Sequence, residues 1–322
     1  MSKKLSTAIV TAAVTLTLAA TGPAPASATA SPVTVDHARI VAHFDLAKGR
    51  MPENIALSPG GTAYVTFAAA RQIARVTPGG TTRILATLPE PADGGVHTPV
   101  LGFPLTTGIV RAHDGTLYFL YATGTDDLTG LWRLRPGGEP RRIAALPATG
   151  LPNGLALDPR TRTLYVTDSV LGTIWRVPTS GGTPTAWSTA PELASTGFLG
   201  ANGLKIHRGA VWATNLDKGT LLRIPLLPGG RAGQVQTRAT GLTGIDDFAF
   251  TGHGDRVLAT LNGPGEVVLV PADGRRHTTV LSAADGLQNP TSVALHGDTV
   301  YVLSAAYTTA EDPNLILAHL ND

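Results

Sequence analysis

The sequence predicts an all-β protein, a six-bladed β-propeller closed by its own N-terminal strand. Three observations predict it. A unit of short apolar strands separated by polar turns recurs six times within 322 residues. Equivalent positions fall at Glu53, Thr107, Asn153, Asn202, Asp246 and Thr291, at intervals of 44 to 54 residues; a period near fifty with four short strands per repeat marks a propeller. Composition agrees: 37 Gly and 24 Pro supply turns, aromatics are only 5%, and 43% apolar residues suffice for a core.

Taken in order, residues 1–28 read as a secretory signal: Lys3 and Lys4, an apolar run from Leu5 to Ala20, and a small-residue cleavage site at Ala26-Ser27-Ala28. The run is diluted by threonine and too short for a membrane span, so a secreted, extracellular protein without stable membrane insertion is expected. Removing the segment takes away two lysines and leaves 23 basic and 23 acidic residues in the single domain 29–322. That balance argues against a nucleic-acid partner. The absence of cysteine excludes disulfides, thiol catalysis and thiolate metal sites.

A lone strand, Arg39 to Phe44, precedes the repeats and has no neighbour in sequence to pair with. Copy one runs through Glu53-Asn54-Ile55, Thr62 to Thr66 and Gln72 to Thr77; copy two through Thr107 to Arg111, Thr116 to Tyr121 and Gly130 to Arg135. Copy three is the clearest: Leu155 to Leu157, Leu164 to Thr167 and Thr173 to Val177, with strands of a few residues rich in Val, Leu, Ile, Tyr and Trp. Copies four and five follow from Asn202 and Asp246. Copy six ends the chain with three strands, so the lone strand is assigned as its fourth, closing the ring and removing its edges.

In a propeller the innermost strands line a central channel, and the residue just before each strand points to the channel mouth. Glu53, Asn153, Asn202 and Asp246 are therefore expected to converge there, with the hydroxyls of Thr107 and Thr291. Two carboxylates among amides, without His or Cys, select a hard cation, Ca²⁺ over Mg²⁺ on flexible loops. The alternatives are a hydrogen-bonded, water-filled channel and, for each Asn-Gly taken singly, a turn.

The segments Pro52-Glu53-Asn54-Ile55, Pro152-Asn153-Gly154-Leu155, Ala201-Asn202-Gly203-Leu204 and Ile245-Asp246-Asp247 resemble the ligand-bearing segments of the six-bladed calcium-dependent hydrolases. That superfamily includes the senescence-marker-protein/gluconolactonase family, paraoxonases and diisopropylfluorophosphatase. The resemblance covers about residues 36 to 320 and rests on short motifs and the blade pattern. It implies a catalytic calcium on Glu53, Asn153, Asn202 and Asp246, with Asp246 as base, nucleophile or simple ligand. The gluconolactonase branch typically has Asp at the place of Asn202 and Asn at that of Thr107, and no histidine pair here matches the paraoxonase dyad.

The expected activity is metal-assisted hydrolysis of a small lactone or related ester by a monomer. His97, in the long connection before copy two, is a candidate general base, against the reading of an exposed loop histidine. The mouth-face loops nominate Phe67, Tyr121 and Tyr307 as apolar walls and Asp168, Asn215 and Asn262 as polar substrate contacts; the alternative for Asp168 and Asn215 is turn closure. Rival readings are a non-catalytic binding module and a lyase or isomerase propeller. Serine-triad hydrolysis is disfavoured, since no G-x-S-x-G stands at a strand-to-helix turn, and Gly-rich dinucleotide and phosphate-binding signatures are absent.

Overall fold

The computed structural model describes residues 33–321. The expected signal segment, residues 1–28, lies outside them. Six four-stranded antiparallel sheets make up the ring. Blade one comprises Pro52–Leu57, Ala63–Phe67, Gln72–Val76 and Thr82–Thr87, and blade two Leu105–Arg111, Leu117–Ala122, Gly130–Leu134 and Arg141–Ala145. Blade three is Pro152–Asp158, Thr163–Asp168, Thr173–Pro178 and Thr185–Ser188; blade four is Ala201–His207, Ala210–Asn215, Thr220–Pro225 and Gln236–Ala239. Blade five is Ile245–Phe250, Val257–Leu261, Glu266–Val270 and Thr278–Leu281. Among the described residues the helical segments are four three-residue 3-10 turns, and no helix is long and apolar enough to cross a membrane.

Blade six takes Pro290–His296, Thr299–Ser304 and Asn314–Asn321 from the end of the chain and its outer strand, Thr34–His43, from the beginning. Thr34 lies opposite Asn321 and His43 opposite Asn314. The closing strand is longer than the apolar pattern from Arg39 suggests, because two register shifts let ten residues lie against eight.

Apolar burial is divided by blade interface. One cluster, with Phe44, Phe67, Tyr301 and Leu315, joins blades six and one, and another, with Ile73, Phe119, Tyr121 and Trp132, joins one and two. Further clusters centre on Leu164, Leu204, Phe248 and Val300 in the remaining interfaces. A seventh lies at the mouth, where Leu105, Leu151 and Leu199 pack with Phe103 and Tyr307. Each blade covers its neighbour's apolar face, and full closure leaves no free flank.

The inner strands share a local irregularity. In all six the register against the second strand shifts at the equivalent position: between Pro52 and Ile55, Thr106 and Ile109, Pro152 and Leu155, Ala201 and Leu204, Ile245 and Phe248, and Pro290 and Ser292. Glu53, Thr107, Asn153, Asn202, Asp246 and Thr291 thus stand on β-bulges inside the strands, rather than ahead of them. A bulge bends the strand and re-aims the side chain it carries.

Hydroxyls stitch the inner ring from blade to blade. Thr106 Oγ1 donates to Phe67 O (3.0 Å), Thr107 to Pro152 O (2.8 Å) and Thr167 to Asn202 O. Thr214 donates to Asp246 O (2.6 Å), Thr260 to Thr291 O (3.2 Å) and Thr291 to Pro52 O (2.9 Å). Every interface carries at least one such bond, each worth about 1 kcal/mol net.

Candidate metal and substrate site at the channel mouth

Four of the six bulge side chains, Glu53, Asn153, Asn202 and Asp246, line one cavity of about 300 Å³ together with Asn262, Tyr307 and Thr308. All four are buried, between 3% and 8% exposed. The two threonines of the set are absent from the lining, because Thr107 and Thr291 spend their hydroxyls on the blade-to-blade bonds above. The expected convergence of six oxygens is therefore corrected to four.

The ring is held from behind. Tyr307 donates to Glu53 Oε2 at 2.5 Å. Asn262 Nδ2 donates to Asp246 Oδ2 at 3.3 Å, and the nearby Asn202 side chain favours the charged form of Asp246. Asn153 Nδ2 donates to Ser169 Oγ at 3.1 Å, which leaves Oδ1 as the amide's free acceptor. Tyr307 is fixed by its loop: Ala306 has φ +55, a conformation L-residues seldom adopt, and Asn289 Oδ1 accepts from Thr308 N (2.9 Å) and Thr309 N (3.2 Å).

Burial dominates the electrostatics. It raises Glu53 from 4.5 to about 7, against the Tyr307 hydrogen bond, which lowers it, and with the Asp247 charge adding to the rise. Asp246 is pushed well above the usual carboxylate range by burial, then by the charges of Glu53 and Asp247. A pair of carboxylates so placed favours either protons or a cation. Among the described residues no group of three or more His, Asp or Glu is arranged to hold a metal; the mouth pairs two carboxylates with two amides, an all-oxygen set that fits a hard cation of moderate affinity.

Asp247, next in the chain after Asp246, turns down the channel instead. Lys205 Nζ lies 2.6 and 2.7 Å from its two oxygens, and Asn54 Nδ2 donates to it at 3.2 Å. The second member of each bulge faces this crowded level. A Cβ on Gly154 would meet Asn202 O at 2.1 Å, and one on Gly203 would meet Asp247 Oδ1 at 2.5 Å. Neither glycine has a positive φ, so the Asn-Gly pairs reflect close strand approach rather than turns.

The walls correct several expectations. Phe67 and Tyr121 are fully buried between blades, Phe67 edge-on to Phe44 and Tyr121 donating its hydroxyl to Pro89 O at 2.7 Å. Neither lines the cavity; strand-end aromatics here face the neighbouring blade. The apolar walls are Leu101, Phe103, Leu105, Leu151, Phe198, Leu199 and Leu216. Asp168 is completely buried and closes a loop, accepting from Leu151 N and Leu171 N (both 2.9 Å) and Val170 N (3.2 Å); burial raises its pKa against these bonds. Asn215 likewise closes a turn, accepting from Lys218 N and donating to Glu192 O and Ala194 O. Asn262 alone of the three polar nominees lines the cavity.

His97 does not line it. Its side chain is 75% exposed, with Nδ1 2.7 Å from Asp93 Oδ2. The connection that carries it does cross the mouth face, but presents Leu101 and Phe103 there. Sequence reading missed Tyr307 as a partner of Glu53, having placed it only as a wall; its hydroxyl beside an expected carboxylate ring was the available signal.

No protein-family model matches the sequence, and no curated protein matches it. Among solved structures, a calcium-binding regucalcin from Agrobacterium tumefaciens aligns with TM-score 0.62 at 18% identity, over 84% of this chain and 90% of that one. A gluconolactonase from Xanthomonas campestris aligns with TM-score 0.60 at 13% identity, over 91% and 98%. Virginiamycin B lyase from Staphylococcus aureus, solved as an inactive variant with quinupristin, aligns with TM-score 0.60 at 18% identity, over 85% and 82%. The structural neighbours are thus gluconolactonase/regucalcin-type six-bladed propellers and related propeller proteins, and the likeness establishes the fold.

Proposed function

We propose that the chain is an exported, calcium-dependent hydrolase of a small lactone or related ester, acting at the channel mouth. The observation that carries this reading is the convergence of Glu53, Asn153, Asn202 and Asp246, from four different blades, on one apolar-walled cavity. The gluconolactonase and regucalcin neighbours support it at the level of fold. Export rests on the pattern of residues 1–28.

Glu53, Asn153, Asn202 and Asp246 would hold the cation through their side-chain oxygens. When bound, calcium supplies a Lewis acid for the ester carbonyl and a counter-charge for the oxyanion that develops. Tyr307 keeps one Glu53 oxygen occupied and so fixes the carboxylate's rotation. Asp246, oriented by Asn262, takes the proton from the attacking water. Leu101, Phe103 and Phe198 receive the carbon skeleton and limit the water that enters. His97, exposed and 2.7 Å from Asp93, has no part in this.

Initial rates on γ- and δ-lactones and aryl esters, followed by pH-stat titration with calcium and after exhaustive chelation, test the reading. Glu53→Gln is expected to lower kcat/KM at least about 100-fold, the scale of losing one electrostatic partner of the transition state. Full activity after chelation overturns the proposal. The lyase neighbour favours a second reading, ring opening by elimination. Hydrolysis places one oxygen of H₂¹⁸O in the product acid, whereas elimination places none.

A further inference from the structure

A cavity of about 570 Å³, larger than that at the mouth, lies between blades one and two. It is bounded by the turns at Gly115 and at Pro136-Gly137-Gly138, so it opens at the end of the propeller away from the mouth. Four arginines line it: Arg75 and Arg83 from blade one, Arg111 and Arg135 from blade two. Asp114 is the one carboxylate among them, and its Oδ1 accepts from Thr116 N at 3.0 Å within its own turn. Among the described residues none of the four arginines forms an ion pair. This concentration of charge stands out in a domain whose basic and acidic residues balance.

The other blades show what is unusual. In blades three and four the arginine of the third strand meets a neutral acceptor on the outer strand. Arg176 Nε donates to Thr185 Oγ1 at 3.0 Å, and Arg223 Nη1 to Gln236 Oε1 at 2.9 Å. In blade one the same row places Arg75 directly opposite Arg83, a like-charge pair that weakens a sheet. Blade two repeats the pairing at Arg133 and Arg141, outside this cavity. Across the interface Arg111 brings its guanidinium to 5.8 Å from the ring centre of Tyr64, and its Nε is buried without a hydrogen-bond partner.

The structure assigns this cavity to a small organic polyanion carrying at least two phosphate or carboxylate groups. Guanidinium forks bind such oxyanions in bidentate fashion, and an anion between Arg75 and Arg83 turns their repulsion into attraction. Four cations distributed over 570 Å³ suit separated anionic groups better than a single small ion. Tyr64, Ile84 and Leu117 offer the ligand's carbon skeleton an apolar floor. The site is independent of the reading of the mouth.

Calorimetric titration of the full chain with pyrophosphate and with citrate, in calcium-free buffer at 50 and 200 mM NaCl, tests the assignment. One saturable site is expected for at least one probe, weakening with salt; pyrophosphate preference identifies phosphoryl groups and citrate preference carboxylates. Arg111→Gln should weaken binding at least tenfold. Arg83→Thr, which copies the neutral partner of blade three, should weaken it severalfold and raise the ligand-free Tm. Arg133→Gln should leave affinity unchanged. If Arg111→Gln lacks a cooperative melt, Arg83→Thr on its exposed outer strand decides. Absence of saturable binding by both probes overturns the proposal. So does affinity that is unaltered by the cavity substitutions, or lowered equally by Arg133→Gln.

Discussion

At the scale of single residues, the mouth is governed by two buried acids and the groups that turn them. Glu53 ordinarily titrates at 4.5 and in the fold at about 7, so folding favours its protonated form. The stability this brings is complete below pH 4.5 and is lost as pH rises through 7, amounting to roughly 3 kcal/mol for such a shift. Melts in chelator from pH 4.5 to 8 should therefore show Tm falling across that window. Calcium should restore it most strongly at the alkaline end, where both carboxylates are free to bind; a calcium effect that is largest at pH 5 contradicts the proposed ligand set. Tyr307→Phe removes the bond that lowers the Glu53 pKa. Its calcium affinity, measured by titration at pH 7, should drop severalfold, and the onset of binding should move to higher pH.

At the scale of elements, the device that builds the site is a bulge repeated in every inner strand, followed by a residue at a place where neighbouring strands nearly touch. Gly154→Ala drives a methyl into Asn202 O, 2.1 Å away on the next blade. Chemical denaturation should show a loss of about 3 kcal/mol or more, since backbone must move. Thr167→Val keeps the shape but unpairs Asn202 O and should cost about 1 to 3 kcal/mol. Much of the scaffold was legible in sequence, because turns and strand periods are local: the six registers and the closing strand follow from Gly, Pro and Asn punctuation around short apolar runs. The bulges were not, because a bulge is defined by the count of residues on the partner strand. Nor were the walls. Leu101, Phe103 and Phe198 lie in aperiodic connections whose course is set by tertiary packing, while Phe67 and Tyr121 were drawn into blade interfaces that only the closed ring creates. Asp168 and Asn215 went to loop closure because their neighbours' amides had no other acceptor.

At the scale of the whole molecule, closure depends on a strand from each end of the chain. Removing residues 33–44 exposes Asn314–Asn321 as an edge and uncovers Leu315 and Leu317, which pack against Ala42 and Phe44. An unpaired edge recruits other chains, so the shortened protein should elute as oligomers in size-exclusion chromatography and melt at lower temperature than the full domain.

Blade six contributes no member of the oxygen quartet, yet it is the keystone of the mouth. Its inner strand stands between Asp246 and Glu53, bonded to blade five through Thr260 and Thr291 O and to blade one through Thr291 and Pro52 O. A chain ending at Ser282 would possess all four oxygens, since the last of them is Asp246, and still be unable to gather them. The mouth is therefore assembled last, whatever the order in which the blades fold, and cation binding would report that the circle is complete.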